Sequence, residues 1–557
     1  MFFLVNEFAK SIKILCLGGV GELGKNMYVV EVHDDLFVID AGLMFPEDEM
    51  FGIDIVIPDY SYLVENKNRI RGIFLSHGHE DHIGAIPYIL RQIDVPVYGT
   101  RLTLALTKIK LKEHGLSLKI DFREVKENTQ LTFEHAKITF FHVNHSIPDA
   151  VGICIETSEG NIVYTGDFKF DQSADPLYRA HISKMTKIGD RGVLCLLSDS
   201  TESEKEGYTP SEITVAKELD DVFKRAKSRI IFACYASQIN AIQRLINAAY
   251  KSERKVAIVG RALHHIFQMA AKNGYLYVPE NLIIVPNNLG EYPDNKVVVL
   301  MSGNQGEPLE ALQMMVKRSY NQIQIQKGDT VIIAASPHRG GEQFLIRTVD
   351  MLYRAGANVI SGKRVHVSGH GRREELKLMI NLMKPKFFVP IHGEYKMLVS
   401  HAQIAEHMGI PSENIFIPEK GDVIEIKHGK IRANGRVTAG NILIDGSGVG
   451  DVGNIVLRDR KMLSQDGIFI VVVTINRDEK KIASGPEIIS RGFVYVRESE
   501  ELMGQATKLV KEIVEKNLRG QFFEWSNVKQ EIRDSLNGYL FNKTKRRPMI
   551  IPIIMEI

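Results

Sequence analysis

Cysteine is scarce in this sequence. The chain of 557 residues has four cysteines and no Cys-x-x-Cys pair; they are Cys16, Cys154, Cys195 and Cys234. A thiolate zinc site and a disulfide framework are therefore not expected. Reduced, mostly buried thiols in a cytoplasmic protein are the simplest interpretation, and we expect a cytoplasmic location.

Long hydrophobic runs and an excess of one charge are also missing. No stretch of about 18 apolar residues occurs, so no membrane span is expected. The apolar start Met1–Val5 is stopped by Asn6 and Glu7 and lacks a basic leader, so no signal peptide is predicted. The formal net charge is +2, which neither suggests nor excludes RNA as a partner.

The chain is too long for one core, and its pattern of helices and strands changes along its length. A chain of this size predicts about three or four domains. From residue 209 a regular helix–strand alternation is typical of βαβ units with a parallel sheet. Histidine-rich segments lie on both sides of it, which indicates an insertion. We predict an α/β protein in five segments: 1–208 and 346–425 as two parts of one domain, 209–345 inserted between them, 426–454 a linker, and 455–557 a small α+β domain.

One short segment concentrates metal ligands. Ser76–His82 reads Ser-His-Gly-His-Glu-Asp-His and follows the apolar, strand-like run Gly72–Leu75. Side chains at a strand end are held rigidly at the edge of a sheet. Imidazole and carboxylate ligands suit zinc or manganese, and histidine favours zinc. A polar loop with chance histidines is the alternative, but the ligand density favours a metal-dependent hydrolase.

The motif His-x-His-x-Asp-His resembles the signature of the metallo-β-lactamase superfamily. The resemblance implies two metal ions, one held by the first two histidines and the other by the Asp-His pair. It also implies three ligands downstream and a bracing role for Asp40. The implied metal ligands are His77, His79, Asp81, His82, His145, Asp167 and His392. His142 competes with His145, and the context Asn-His-Ser-Ile-Pro-Asp favours His145.

Three further segments resemble the motifs of the β-CASP nucleases, and within them the bacterial ribonuclease J family. They are the Asp199 segment Leu197–Thr201, the His370 segment His366–Gly371, and His392. The resemblance covers nearly the whole chain. It implies a metallo-β-lactamase αββα sandwich with an inserted α/β β-CASP domain and a small α+β C-terminal domain.

The resemblance also implies an activity. The expected enzyme hydrolyses RNA phosphodiester bonds with two divalent metal ions, Zn2+ by preference and Mn2+ or Mg2+ as alternatives. It would be a 5′-to-3′ exonuclease that prefers 5′-monophosphate ends, and an endonuclease, in mRNA decay and rRNA maturation. Asp81 and His370 are candidate catalytic residues, with His370 as a general acid held by Asp199. A phosphate clamp without proton transfer is the open alternative for His370.

Substrate contacts follow from the same resemblance. The expected phosphate loop comprises His366, Val367, Ser368, Gly369 and His370. Ser237 and the segment Gly303–Pro308 fall where the family contacts RNA, although ordinary turn chemistry is an alternative for both. Gln238 stands where the family usually has Asn, and His338-Arg339 departs from the family's usual turn.

Two other functions compete with this one. A small-molecule metallohydrolase is disfavoured, because such single-domain enzymes lack the inserted domain and His370. A weakly active or inactive paralogue could serve as a structural partner in an RNA-decay complex, but every ligand position is filled, which favours activity. By resemblance, 455–557 supports homodimers or larger assemblies, with a paralogue as a further possible partner.

Overall fold

The structure is a computed structural model that describes residues 11–47, 49–116, 119–303, 308–320, 322–335, 341–446, 448–494, 499–520 and 523–557. Residues 304–307 of the expected RNA-contact segment and the pair His338-Arg339 lie outside the described residues. The chain divides into two compact units, residues 1–45 with 55–442 and residues 46–54 with 443–557.

Unit 1 contains an eight-stranded sheet. Its strands are β1 (Ile12–Gly18), β2 (Met27–Val32), β3 (Asp35–Ile39), β5 (Ile70–Phe74), β6 (Val97–Gly99), β7 (Phe122–Glu124), β20 (Asp422–Lys427) and β21 (Lys430–Arg436), and β4 (Ile55–Pro58) lies outside it. The order is β21-β20-β1-β2-β3-β5-β6-β7. The strands are rich in β-branched and aromatic residues, which pack well on a pleated surface.

A six-stranded sheet packs against it. Its strands are β8 (Gln130–Thr132), β9 (Lys137–His142), β10 (Val151–Thr157), β11 (Gly160–Tyr164), β12 (Val193–Asp199) and β19 (Pro385–Ile391), in the order β19-β12-β11-β10-β9-β8. One buried core takes residues from both sheets, such as Phe37 and Phe140. Strands β11, β12 and β19 are parallel, so their carboxyl ends meet at one edge.

Helices flank these two sheets. They are α1 (Ser61–Glu65), α2 (Glu80–Ile83), α3 (Ile86–Ile89), α4 (Arg101–Glu113), α5 (Ile182–Asp190), α11 (Arg373–Met383) and α12 (Tyr395–His407). Short 3-10 turns occur at Lys67–Arg69, Pro176–Tyr178, Pro286–Glu291, Asp294–Lys296, Gly362–Arg364 and Ser412–Asn414.

An all-parallel sheet is inserted into this framework. Its strands are β13 (Ile230–Ala233), β14 (Lys255–Val259), β15 (Ile283–Ile284), β16 (Val297–Met301), β17 (Thr330–Ile333) and β18 (Asn358–Ser361), in the order β15-β14-β16-β13-β17-β18. The accompanying helices are α6 (Glu212–Arg225), α7 (Ile239–Lys251), α8 (Arg261–Lys272), α9 (Pro308–Val316) and α10 (Glu342–Arg354). The sheet extends beyond the sequence-based limit of 345, because β18 pairs with β17 from Asn358 onward.

Unit 2 is a small α+β unit. Its elements are β23 (Gly448–Val449), α13 (Asn454–Asp466), β24 (Ile468–Asn476), β25 (Lys481–Arg491), α14 (Glu500–Arg519), α15 (Trp525–Thr544) and β26 (Met549–Glu556), and β22 (Asn441–Asp445) spans the boundary between the units. In β24, alternate residues from Phe469 to Ile475 are buried in a core shared with α14 and α15. Among the described residues, no helix is long and apolar enough to cross a membrane.

The predicted linker 426–454 has more structure than expected. It contains the end of β20 and all of β21, β22 and β23. Strand β21 reads Lys-Ile-Arg-Ala-Asn-Gly-Arg and is mostly exposed. An exposed strand at the end of a sheet lacks the apolar alternation that marks a half-buried strand, so the sequence pattern concealed it.

Candidate metal centre

The predicted ligands come from separate turns that meet at one sheet edge. His77–His82 follow β5, His145 follows β9, Asp167 follows β11 and His392 follows β19. Asp199 is the last residue of β12 and pairs in register with Ile391 of β19. Because β11, β12 and β19 are parallel neighbours, Asp167, Asp199 and His392 leave the sheet side by side.

Three histidines form the first ligand group. The Nδ1 of His79 lies 3.1 Å from Nε2 of His77 and 3.0 Å from Nε2 of His145. Burial lowers the pKa of His79 to about 4, and it lowers the pKa of His77 and His145 well below the ordinary value. All three rings are therefore neutral at pH 7 and carry a free lone pair.

Hydrogen bonds fix which nitrogen of two rings faces this group. Nδ1 of His145 donates to the carbonyl of Gly369 at 2.9 Å. Nδ1 of His77 lies 3.0 Å from the hydroxyl of Ser76. Such bonds at one ring nitrogen orient the ring and leave Nε2 as the ligand atom.

The second group contains Asp81, His82, Asp167 and His392. Nε2 of His82 lies 3.2 Å from Oδ2 of Asp167 and 3.6 Å from Oδ2 of Asp81. Burial raises the pKa of Asp81, but the positive charges of His82 and His392 outweigh it, so the net pKa is below the ordinary value. Nε2 of His392 lies 3.5 Å from Oδ2 of Asp81, which places four donors around one point.

Asp167 lies between the two groups. Its Oδ2 is 3.6 Å from Nε2 of His77 and 3.8 Å from Nε2 of His145 on one side, in addition to the contact with His82 on the other. Its Oδ1 lies 2.7 Å from Nδ1 of His392. A carboxylate in this position can serve two ions at once.

Asp40 braces the second group from behind. One carboxylate oxygen accepts from Nδ1 of His82 at 2.7 Å and from the hydroxyl of Tyr164 at 2.6 Å. The carboxylate also accepts the backbone N–H and the hydroxyl of Ser76 at 2.7 and 2.8 Å. Asp40 has φ +58°, a conformation that its surroundings must hold in place.

The donor set fits two divalent cations. Ligands of a tetrahedral metal with bonds of about 2.0–2.1 Å lie roughly 3.3 Å apart, close to the nitrogen separations in the first group. Buried carboxylates without a cation nearby are costly, and Asp167 is buried in this pocket beside the partly exposed Asp81. Imidazole nitrogens with carboxylate oxygens are donors that zinc and manganese accept.

His370 and Asp199 form a pair beside the metal ligands. Nδ1 of His370 lies 2.7 Å from Oδ2 of Asp199. Burial lowers the pKa of His370, but the carboxylates of Asp199 and Asp167 outweigh it and raise the net pKa above the ordinary value. The two carboxylates therefore favour the protonated ring, and Nδ1 is the nitrogen that faces Asp199.

The loop 366–370 turns its carbonyls inward. The carbonyl of Ser368 accepts from Nζ of Lys169 at 3.0 Å, and that of Gly369 accepts from His145. The carbonyl of His370 accepts from the hydroxyl of Thr209 at 2.7 Å. Gly369 must be glycine, since a Cβ there would lie 2.5 Å from Cε1 of His145.

The backbone N–H groups of this loop make fewer hydrogen bonds than its carbonyl groups. Among the described residues, the backbone N–H groups of Val367, Ser368 and Gly369 donate no hydrogen bond to protein. Successive unpaired amides form a concavity that suits an anion. This geometry is the one expected of a phosphate-binding loop.

A cavity adjoins the loop. His366 and Val367 line it from the loop, Ser146 from the turn after His145, and Gln238 from the inserted domain. The Oε1 of Gln238 is buried without a hydrogen-bond partner among the described residues. Ser237 precedes Gln238 and does not line this cavity in the described part of the chain, so its role stays a prediction.

Two competing ligand candidates lie apart from the metal centre. The ring of His142 packs on His181 with the ring centroids 5.2 Å apart, and it is not in a ligand group. The carboxylate of Glu80 forms an ion pair with Lys110. The geometry thus brings together His145 rather than His142, and leaves Glu80 outside.

Two residues that support the site, Lys169 and Glu375, belong to no motif that the sequence displays. Lys169 is buried, and its Nζ donates to the carbonyl of Ser368 in the loop 366–370. Glu375 is 1% exposed and accepts the backbone N–H groups of Phe170, Thr209 and Arg372 at 2.7, 2.7 and 2.9 Å. Charged residues are usually solvated, and only contacts with residues far along the chain, such as Ser368 for Lys169 and Thr209 for Glu375, show the role of these two.

Four family models match successive parts of the chain. "Metallo-beta-lactamase superfamily" matches residues 20–205, and "Ribonuclease J, beta-CASP domain" matches residues 227–352. "Zn-dependent metallo-hydrolase RNA specificity domain" matches residues 361–418, and "Ribonuclease J C-terminal domain" matches residues 455–557.

Curated relatives match over their whole length. Ribonuclease J2 of Bacillus subtilis is 52% identical over 549 residues, which cover 98% of this chain and 99% of the relative. Ribonuclease J 2 of Staphylococcus epidermidis is 50% identical over 555 residues, with full coverage of both chains.

A solved structure shares the fold. The crystal structure of a protein of unknown function from Enterococcus faecalis V583 matches with a TM-score of 0.54 and 17% identity, and covers 75% of this chain and 100% of that one. At this identity the likeness concerns the fold alone.

Proposed function

The chain belongs to the ribonuclease J family, as its motifs predicted, and from this premise we propose that it hydrolyses RNA at the metal centre around Asp167. Family membership supports a ribonuclease and metallo-hydrolase. The observation that carries the proposal is the convergence of all seven predicted ligands into two groups, with Asp167 of the second group 3.6 Å from His77 and 3.8 Å from His145 of the first.

The metal centre would hold two ions. His77, His79 and His145 would hold one, and Asp81, His82 and His392 the other, with Asp167 between them. When bound, two divalent ions lower the pKa of a water molecule towards neutrality and offset the charge of the phosphodiester. Zinc is the proposed metal, with manganese or magnesium as alternatives.

The protein's own groups would then orient the substrate and move a proton. The amides of Val367, Ser368 and Gly369 bind a phosphate, while Lys169, His145 and Thr209 hold the loop from behind. His370, protonated and held through Nδ1 by Asp199, donates its Nε2 proton to the departing ribose 3′ oxygen. The product keeps the 5′ phosphate.

The mode of cleavage is part of the proposal. We assign 5′-to-3′ exonuclease activity with a preference for 5′-monophosphate ends, together with endonuclease activity, in mRNA decay and rRNA maturation in the cytoplasm. Support comes from the phosphate loop and the adjoining cavity, which end beside the metal ligands. The competing role is that of a weakly active structural partner, and the filled ligand positions favour catalysis.

Metal analysis with an RNA time course tests the proposal. We expect about two metal ions per chain and progressive shortening of 5′-monophosphorylated RNA. The double substitution Asp81→Ala, His82→Ala should abolish both. Glu80→Ala is the matched control in the same segment, because Glu80 pairs with Lys110 outside the ligand groups. RNA cleavage that survives the double substitution would refute the mechanism.

We also propose that the chain forms homodimers or larger assemblies through unit 2, with a paralogue as an alternative partner. The sheet face opposite the buried core exposes large apolar side chains on β25 and β26. Ile489 is 37% exposed, Ile551 37%, Ile553 41% and Met555 47%. Light scattering of Ile551→Lys, Ile553→Lys should show a smaller particle than the unsubstituted chain; an unchanged mass would contradict this interface.

A further inference from the structure

An ionic cluster connects the phosphate loop to the inserted domain. Nζ of Lys169 lies 2.8 Å from Oε1 of Glu212, and the second carboxylate oxygen of Glu212 pairs with Arg244. The three side chains are 1%, 13% and 12% exposed. Lys169 follows Asp167 closely, Glu212 begins α6, and Arg244 lies in α7, so the cluster spans both parts of unit 1.

The cluster places charged side chains next to the cavity. Burial raises the pKa of Glu212, but Lys169 and Arg244 outweigh it, so its net pKa is below the ordinary value and it is ionised. The three side chains hold two cations and one carboxylate, and the carboxylate of Asp171 accepts the backbone N–H of Glu212 at 2.9 Å. Burial lowers the pKa of His366, which adds no charge at pH 7. Arg244 lines the cavity together with Glu212 and His366, so its guanidinium is a cation that a bound group in the cavity could meet.

The cluster also sets the direction of one loop amide. Lys169 holds the carbonyl of Ser368 at 3.0 Å. In a trans peptide the carbonyl and the following N–H point in opposite directions. The N–H of Gly369 therefore points away from Lys169, where it donates to no described residue.

We propose that Glu212 is a positioning residue for recognition of the 5′ phosphate of RNA. Through Arg244 it sets one wall of the cavity, and through Lys169 it sets the peptide that presents the N–H of Gly369. The assignment rests on the proposed 5′-monophosphate preference and names the residue that organises it. Removal of its charge would free both cations to adopt other positions.

The test compares two RNAs that differ only in a 5′ monophosphate or a 5′ hydroxyl. In Glu212→Gln we expect KM for the 5′-monophosphate RNA to rise about 10-fold, with kcat little changed. Both constants for the 5′-hydroxyl RNA should stay as in the unsubstituted chain. Asp221→Asn removes an exposed carboxylate from the same helix and should change neither RNA.

The outcomes separate this inference from the function on which it rests. An equal loss on both RNAs, or no loss on either, would overturn the role of Glu212. If the unsubstituted chain cleaves both RNAs equally well, the proposed 5′-monophosphate preference fails first and the inference fails with it. If circular dichroism shows that Glu212→Gln does not fold, Arg244→Gln takes its place. Arg244→Gln must then raise KM for the 5′-monophosphate RNA alone. An equal loss of activity of Arg244→Gln on both RNAs would refute the proposal.

Discussion

Asp40 is not one of the proposed metal ligands, but it orients one of them, His82, through a hydrogen bond. It accepts the Nδ1 proton of His82 and so turns Nε2 towards Asp81 and Asp167, where the side-chain amide of Asn26 also lies 3.1 Å from Nε2. In Asp40→Asn, the side-chain NH2 group would replace the carboxylate oxygen that accepts from Nδ1 of His82, so two donors would face each other. The ring would then move its proton to Nε2 and lose its lone pair there.

We therefore expect Asp40→Asn to lower the metal content from about two ions per chain to about one, with activity reduced about 10- to 100-fold. Elemental analysis by mass spectrometry measures the metal content, and a time course of RNA cleavage measures the activity. Asp94→Asn, an exposed carboxylate, is the control. Retention of two ions by Asp40→Asn would show that the brace is dispensable.

His370 offers a second test at the scale of one side chain. Because its Nδ1 is bonded to Asp199, His370→Gln should leave the metal content intact while kcat falls about 100- to 10,000-fold. Steady-state kinetics distinguishes the two roles open to it. A rise in KM with unchanged kcat would assign His370 to phosphate binding and exclude the proton transfer.

Among the elements, helix α11 ties three chain segments together through its first turn. Its Glu375 accepts amides from the turn after Asp167, from the entry to the inserted domain and from the loop after His370. These are the segments that place the proposed metal ligands and the proposed phosphate loop relative to each other. The helix thus acts as a fixed reference for the junction between the two domains.

Glu375→Ala would leave two buried amides, those of Phe170 and Thr209, and one partly buried amide, that of Arg372, without their acceptor. Each buried amide costs about 1–3 kcal/mol, so the free energy of unfolding should fall by at least about 2 kcal/mol. Glu374→Ala is the matched neighbour; its carboxylate is half-exposed and pairs with Lys377, so a change below about 1 kcal/mol is expected. Denaturant unfolding measures both, and equal effects would contradict this role of Glu375.

Some of these elements can be predicted from the sequence pattern and others cannot. The ligand motif at His77–His82 and the parallel sheet of the inserted domain depend on local spacing, which one sequence displays. The edge strand β21 lacks apolar alternation, so the sequence predicts a linker there instead of a strand. Lys169 and Ser368 are far apart in the chain, and no local pattern announces that they touch.

The chain divides into two compact units that differ in their candidate metal ligands. Every candidate ligand group among the described residues lies in unit 1. Unit 2 has its own core, built from β24, α14 and α15. The two units should therefore respond differently when metal is removed.

We expect calorimetry to show two transitions, of which only that of unit 1 shifts downward when a chelator is added. At 100 times the dissociation constant, one bound ion stabilises the folded state by about 2.7 kcal/mol. The variant Asp81→Ala, His82→Ala should show a smaller shift, because it has less metal to lose. A downward shift of both transitions would contradict the independence of unit 2.

The bond from His145 to the carbonyl of Gly369 has a consequence that concerns energy rather than position. A ligand that orders the loop 366–370 also restricts the ring of His145, and a metal that orders the ring restricts the loop. Linkage between two binding equilibria is reciprocal. By whatever factor a bound phosphate changes the affinity for the metal, the metal must change the affinity for phosphate by the same factor.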